Sequence, residues 1–315
     1  MEMVKTHVAG IDVHKEVLAV TVLVGAEPTV HQFECSTFTE DLIKCGQKLL
    51  DLGVKEVAME STGVYWKAPF NVWAPMGLEL TLGQAAHMKT VPGRKTDMND
   101  SHWIATLHRY GLIRASFIPE SEFQRLRLLS RHRVNLVEDL ARVKNRIQKV
   151  LEDGNIKLGV IASDVFGKSG IQVVELIAKG VTDAQRLADQ IYTNLKRRDE
   201  AKKALTNYLT KEHCYLVNSL YSQYKFLSAE ILKLESELKL KTEKYSHLID
   251  ELKKIPGISD VLAMSILAET SDNVSKFKDE GKFAAWTGVA AGNNESGGKK
   301  KDQNVDKETQ HSGSC

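Results

Sequence analysis

An α/β domain followed by a largely helical remainder is the fold class that the sequence predicts, and three observations predict it. Short β-branched and apolar runs alternate with helix-length segments at the start of the chain. The pattern then becomes continuously helical, and residues 170–254 contain no proline while carrying apolar side chains at three- and four-residue intervals.

Residues 7–24, HVAGIDVHKEVLAVTVLV, run apolar and β-branched, and TVHQFEC at 29–35 follows a turn at Gly25 to Pro28, so the chain is expected to open with a β-hairpin. A helix is expected over residues 38–52, a short strand at 54–60, a helix from Tyr65 to Met76 and another strand near LELTLGQ. Helical periodicity covers residues 97–153, and GNIKLGVIASDVFGKSG then supplies a glycine-rich break that places a first boundary near 160. Leu220, Tyr224, Leu227, Ile231, Leu234, Leu238, Tyr245 and Leu252 mark a long amphipathic helix of coiled-coil type. Its partner is either the helix around 183–211 or the same helix in a second subunit. Ile255-Pro256-Gly257 interrupts it and opens a small, mainly α third unit. The expected domains are therefore 1–160, 161–252 and 253–315.

A composition of 42% hydrophobic and 27% charged residues over 315 positions is that of a folded globular chain. No apolar run is long enough to span a bilayer, and MEMVKTHVAGIDVHK lacks the apolar core of a secretion signal, so a cytoplasmic protein without a membrane partner is expected. Cys35, Cys45, Cys214 and Cys315 have neither CxxC spacing nor nearby histidines, which argues against a zinc site or a disulfide framework. A net charge of +2 identifies no polyanionic partner, so local clusters must carry that argument.

Asp12 lies between apolar neighbours in GIDVHK, where a carboxylate is costly unless it reaches a cation or the strand end. Glu60 ends the strand VAME, and Asp97 and Asp100, three apart, fall on one face at a helix start. Asp97 is also a reasonable helix N-cap. Together the four carboxylates suit two Mg²⁺ ions, hard cations that prefer oxygen and that serve phosphodiester chemistry in pairs. Arg125, Arg127, Arg131, Arg133, Arg142, Lys144, Arg146 and Lys149 form a basic helix face, which suits nucleic-acid phosphates or is simply solvated. Ser296, between Glu295 and Gly297, is by itself an ordinary loop serine, although Gly297, Gly298 and Lys299 to Lys301 supply flexibility and cations.

Six blocks in order, GIDVHK, MESTGVYW, GRKTDMNDSHWIA, the Arg-rich segment 126–152, IPGIS and FAAWTGVAAGNNESGGKKK, resemble the DEDD-type insertion-sequence transposases. That group is related to the Piv invertase and has an N-terminal domain similar to the RuvC resolvase. The resemblance implies a ribonuclease-H/RuvC-like N-terminal fold and metal ligands at Asp12, Glu60, Asp97 and Asp100. It also implies a nucleophile at Ser296 that forms a covalent link to DNA. DNA, a structured guide RNA from the same element and a homo-oligomer are the implied partners. Arg94, Lys95, Lys299 and Lys300 join the basic helix as expected backbone contacts. The family continues past the serine block with a basic helical stretch, whereas DQNVDKETQHSGSC follows here. A one-base frameshift after the lysine run would account for that tail, so an incomplete C-terminal domain is expected. Rival readings are a binding remnant without activity and a nuclease that uses the acidic site alone. An actin-like ATPase shares the opening strand but would need glycine-rich phosphate loops that do not follow a strand here.

Overall fold

The computed structural model describes residues 3–61, 63–83, 100–191, 195–277, 279–286, 295–296 and 299–300. The chain divides into two compact units, Met1–Ile118 with Gly281–Cys315, and Pro119–Glu280.

The first unit is built on a five-stranded sheet of order β3-β2-β1-β4-β5. Strand β1 (His7–Val13) runs antiparallel to β2 (Val17–Val24), which runs antiparallel to β3 (Thr29–Ser36). On the other side β1 is parallel to β4 (Glu56–Glu60), and β4 to β5 (Glu79–Gly83). The single run expected over 7–24 is thus two strands. His14, Lys15 and Glu16 are exposed, and the His14 amide donates to the Val17 carbonyl at 3.1 Å to close the turn. Gly25, at φ +92°, turns β2 into β3 with a backbone that side chains other than glycine rarely adopt.

Strand alternation sorts the sheet into two faces. Ala9, Ile11 and Val13 of β1, with Leu18, Val20, Val22, Val57 and Met59, pack against Leu42, Cys45 and Leu49 of α1 (Thr39–Asp51) and Trp73 of α2 (Lys67–Trp73). Trp73 is fully buried, and its indole N–H donates to the Leu42 carbonyl at 2.7 Å, so the polar atom of the largest core side chain is satisfied. On the opposite face α3 (Asp100–Arg109) covers the sheet through Ile104, Ala105 and Leu107. Three antiparallel strands continued by two parallel ones, with helices on both faces, form the α/β ribonuclease-H-like arrangement expected for the N-terminal part.

His108, buried on α3, stands between Lys5 and Glu56, which are themselves ion-paired. Burial, and secondarily the Lys5 cation, lower its pKa to about 4. Because the folded value lies below the unfolded one, the neutral ring contributes stability that is complete above about pH 6.5 and is lost as the pH falls towards 4. Thermal melting is expected to drop by the equivalent of about 3 kcal/mol across that window. A His108→Phe variant should show a flatter profile there, and an equally steep one would discard this assignment.

The second unit is helical. Its longest elements, α4 (Ser121–Asp153) and α9 (Lys211–Thr242), lie antiparallel, with His213 Nε2 2.8 Å from Asp153 Oδ2 at one end and Arg133 2.7 Å from Glu235 towards the other. The long helix therefore finds its partner in the basic helix of its own chain and not in residues 183–211, which form α7 (Ala184–Ala188) and α8 (Leu195–Leu205). It also ends earlier than its periodicity suggests, at Thr242, and a 3-10 turn leads into α10 (Ser246–Lys253).

Between these helices α5 (Leu158–Ile161) and α6 (Lys168–Ala178) complete a core of Val143, Ile147, Leu151, Val173, Val174, Ile177 and Val217. Ile156, Leu158 and Val165 are buried in the same core, so the glycine-rich stretch near 160 lies inside this unit. The division between units falls at Ile118/Pro119 instead. Beyond α10, α11 (Asp260–Thr270) starts at Ser259, whose hydroxyl accepts from the Leu262 amide, and packs on Phe123, Leu126 and Leu238.

The helix α12 (Glu280–Trp286) and a two-residue pair, β6 (Glu295–Ser296) with β7 (Lys299–Lys300), complete the described elements. Among the described residues no helix is long and apolar enough to cross a membrane. Cys35, Cys45 and Cys214 are free and buried, and burial raises all three thiols. Cys315 lies outside the described residues.

Candidate active site

The parallel register of β1 and β4 pairs Gly10 with Ala58 and Ile11 with Met59, and Asp12 and Glu60 are the residues that follow this last pair. Both carboxylates belong to the sheet face that carries Gly10 and Ala58, the face that α3 covers. The direction of α3 follows from its contacts. Its last residue, Arg109, accepts from the Val4 and Lys5 amides just before β1 begins, at 3.2 and 3.1 Å. Its first turn lies on the middle of the sheet, where Ser101 Oγ is 2.8 Å from Thr21 Oγ1. The helix therefore runs antiparallel to β1, and Asp100 at its N-terminus lies towards the carboxyl ends of β1 and β4.

Gly10 makes this approach possible. A Cβ there would lie 2.8 Å from Ala105 Cα and would overlap Ala105 N and Ser101 O, so no larger residue allows the helix to lie this close. Three acidic residues from three elements thus belong to the same end of the sheet, all of them half-buried. The helix start adds the positive end of its dipole, which favours negative charge there. His14 Nε2 stands 3.1 Å from Asp12 Oδ2 and holds the carboxylate from the solvent side. The sequence reading did not single out His14, although its i, i+2 spacing from Asp12 in a strand is the signal that places both on one face.

The donor set, oxygen only and half-buried, fits a hard divalent cation in kind. Among the described residues, however, no three His, Cys, Asp or Glu side chains stand close enough to hold one ion. Asp97, Arg94 and Lys95 lie outside the described residues. Ser296 is described in backbone only, in β6, where it pairs in antiparallel register with Lys299, and Glu295 pairs with Lys300.

The basic helix divides into two parts. Arg131 Nε and Nη2 hold the Glu269 carboxylate of α11 at 2.8 and 3.0 Å, and Arg127 Nη2 donates to the Glu269 carbonyl at 2.7 Å. Arg133 is bonded to Glu235 of α9. These three guanidiniums brace the helical unit, and burial lowers the Arg127 pKa despite the opposing Glu269 charge. Lys144 lies over the Phe166 and Tyr224 rings, 5.3 and 5.9 Å from their centroids. Arg125, Arg142, Arg146 and Lys149 are exposed, with Arg142 also paired to Glu138 and Asp139.

Comparison with known proteins adds family membership. Residues 9–156 match a family model described as Transposase, of the DEDD type found in IS110 elements, and residues 249–311 match one described as Transposase IS116/IS110/IS902 family. A search of curated proteins finds no match. Among solved structures, RuvC of T. thermophilus in complex with a Holliday junction substrate is similar at 14% identity and a TM-score of 0.28, covering 36% of this chain and all of that one. The fold assignment rests on the strand order and not on that superposition. The two family matches keep the order of the motif blocks and together span more than half of the sequence: the chain belongs to the IS110-type DEDD insertion-sequence transposases, which are DNA transposases.

Proposed function

We propose that this transposase cuts and rejoins DNA strands through a carboxylate centre made by Asp12, Glu60, Asp97 and Asp100 and a serine nucleophile at Ser296. The observation that carries the reading is the parallel ladder of β1 and β4, whose last pair, Ile11 with Met59, is followed in the two strands by Asp12 and Glu60, with the N-terminus of α3 towards the same strand ends. Mg²⁺ held by these four residues would polarise the phosphate oxygens. The four carboxylates would hold the cation, and Lys299 and Lys300 would bind and orient the phosphodiester. The Ser296 hydroxyl attacks phosphorus and passes its proton to a neighbouring base. A phosphoserine ester forms, one backbone P–O bond breaks, and the released sugar oxygen takes up a proton. Attack by a sugar hydroxyl of the recipient strand reverses these steps and frees the serine.

The pairing of Ser296 with Lys299, and the membership of Gly281–Cys315 in the same unit as the sheet, support a joint site. In this reading Arg94, Lys95, Arg125, Arg142, Arg146, Lys149, Lys299 and Lys300 contact the backbones of element-end and target DNA and of a guide RNA. The working form is a homo-oligomer in the cytoplasm.

The test is a cleavage assay with Mg²⁺, labelled element-end DNA and cognate RNA, resolved under denaturing conditions. The unmodified chain is expected to give a protein–DNA adduct that Ser296→Ala abolishes. Cleavage that persists in Ser296→Ala without an adduct would replace this mechanism by a metal-only nuclease. DNA binding without cleavage in either protein would leave a binding remnant.

A further inference from the structure

Midway along the antiparallel helix pair a groove of about 420 Å³ opens between Asp139, Arg142 and Arg146 of α4 and Ser222, Gln223 and Phe226 of α9. Val143 and Leu227 form its apolar floor. Phe226 is 63% exposed, although its neighbours on the inner side of the helix, Tyr221 and Ile231, are buried. A solvated phenyl ring beside two guanidiniums is not explained by the packing of the helical unit, whose aromatic stack of Phe166, Tyr221 and Tyr224 lies elsewhere.

We infer that this groove is a binding subsite for one unpaired base of a single-stranded polynucleotide, stacked on Phe226, with Arg146 on a flanking phosphate. The volume lies in the range of small-ligand clefts, and the mixture of one accessible ring, an amide and cations is the chemistry that holds single strands. Charge complementarity favours this occupant over an apolar helix. Arg142, Arg146 and Lys149 repeat at four- and three-residue spacing along one helix face, so a backbone laid along α4 meets successive cations. The Arg142 charge is partly committed to Glu138 and Asp139. Arg146, with no ion-pair partner among the described residues, is therefore the principal phosphate contact. Gln223 is placed to donate to or accept from a base edge, and Ser222, whose hydroxyl donates to the Asn218 carbonyl at 3.0 Å, can still accept. Duplex does not fit this requirement, since its bases are already stacked. The inference rests on the nucleic-acid reading of the chain and names where an unpaired segment is held.

The experiment uses the full chain and fluorescein-labelled single-stranded RNA and DNA oligonucleotides of the same sequence, with affinity read by anisotropy over a range of salt. Phe226→Ala is expected to weaken binding of at least one of them about tenfold, and Phe226→Trp to retain it. Arg146→Gln should reduce the slope of log affinity against log salt by about one. A 4-thiouridine cross-link to the unmodified protein, mapped by mass spectrometry, should fall on the peptide containing Phe226. Phe226 is exposed, so the variants should melt with the parent; if Phe226→Ala does not, the cross-link position decides.

Unchanged affinity in Phe226→Ala, with a cross-link elsewhere, overturns the subsite while leaving the transposase reading intact. The same holds if Phe226→Ala changes sedimentation of the free protein and leaves affinity unaltered, which would make the ring a contact between copies. A parent chain that binds neither oligonucleotide nor duplex overturns the nucleic-acid reading itself.

Discussion

Replacing Asp12 by Asn is expected to abolish Mg²⁺-dependent DNA cleavage, a loss of at least about a hundredfold, because it removes one unit of charge from the site where divalent cations would neutralise phosphate. The fold should survive. The amide oxygen of Asn can still accept from His14 Nε2, which in the parent lies 3.1 Å from Oδ2. Melting of the variant without metal should therefore stay within a few degrees of the parent, the range of about 1 kcal/mol for a half-buried polar exchange. A second readout does not depend on catalysis. An ion that binds only the folded chain raises its melting temperature by mass action, so Mg²⁺ should stabilise the parent and stabilise Asp12→Asn much less. Glu60→Gln should behave in the same way, since Asp12 and Glu60 follow the last pair of the β1–β4 ladder on the same sheet face. Undiminished cleavage together with an undiminished Mg²⁺ shift in both variants would remove these residues from the site.

The second large effect is structural. Gly10→Val is expected to destabilise the first unit by more than about 4 kcal/mol, which few single substitutions do. A Cβ at Gly10 would overlap the backbone of α3 at Ser101 and Ala105, and backbone atoms cannot move aside as a flexible side chain can. Relief requires α3 to lift from the sheet. That would uncover Ile104, Leu107 and Ala58, strip the buried Thr21–Ser101 contact and displace Asp100 from the site. The measurement is urea unfolding followed by far-ultraviolet circular dichroism, with Gly10→Ala as the milder comparison. A Gly10→Val chain that unfolds with the parent would mean that α3 does not lie on Gly10.

Some of this was legible because a residue was out of keeping with its neighbours. Asp12 sits among apolar strand residues, where an unpaired carboxylate is costly, and that anomaly alone marks it as a residue needing a cation or an edge. Glu60 at the end of VAME and Asp100 at a helix start could be read from the same alternation of strand and helix. Gly10 was not legible. A glycine in a strand announces a bend, a bulge or a close approach, and only the position of α3 selects among them.

The helical unit shows the same limit in two places. Hydrophobic periodicity identified the long helix, though not its end at Thr242, and could not name its partner, because a heptad stripe fits any complementary stripe. The basic segment read as one surface, yet Arg131 and Arg133 reach carboxylates 138 and 102 residues away, whereas Arg146 and Lys149 face solvent. What the sequence alone determined is local: the α/β pattern, the helices, the chemical kinds of the acids and bases, and the order of motifs that carries the family. The tertiary structure alone decided the parallel ladder that ends just before Asp12 and Glu60, the descent of α3 onto Gly10, the intrachain pairing of the two long helices and the division of the arginines into braces and exposed cations. The physical reason is range. Propensity and periodicity act over a few neighbouring residues, whereas strand register, ion pairing and backbone contact join residues whose separation along the chain leaves no mark in either.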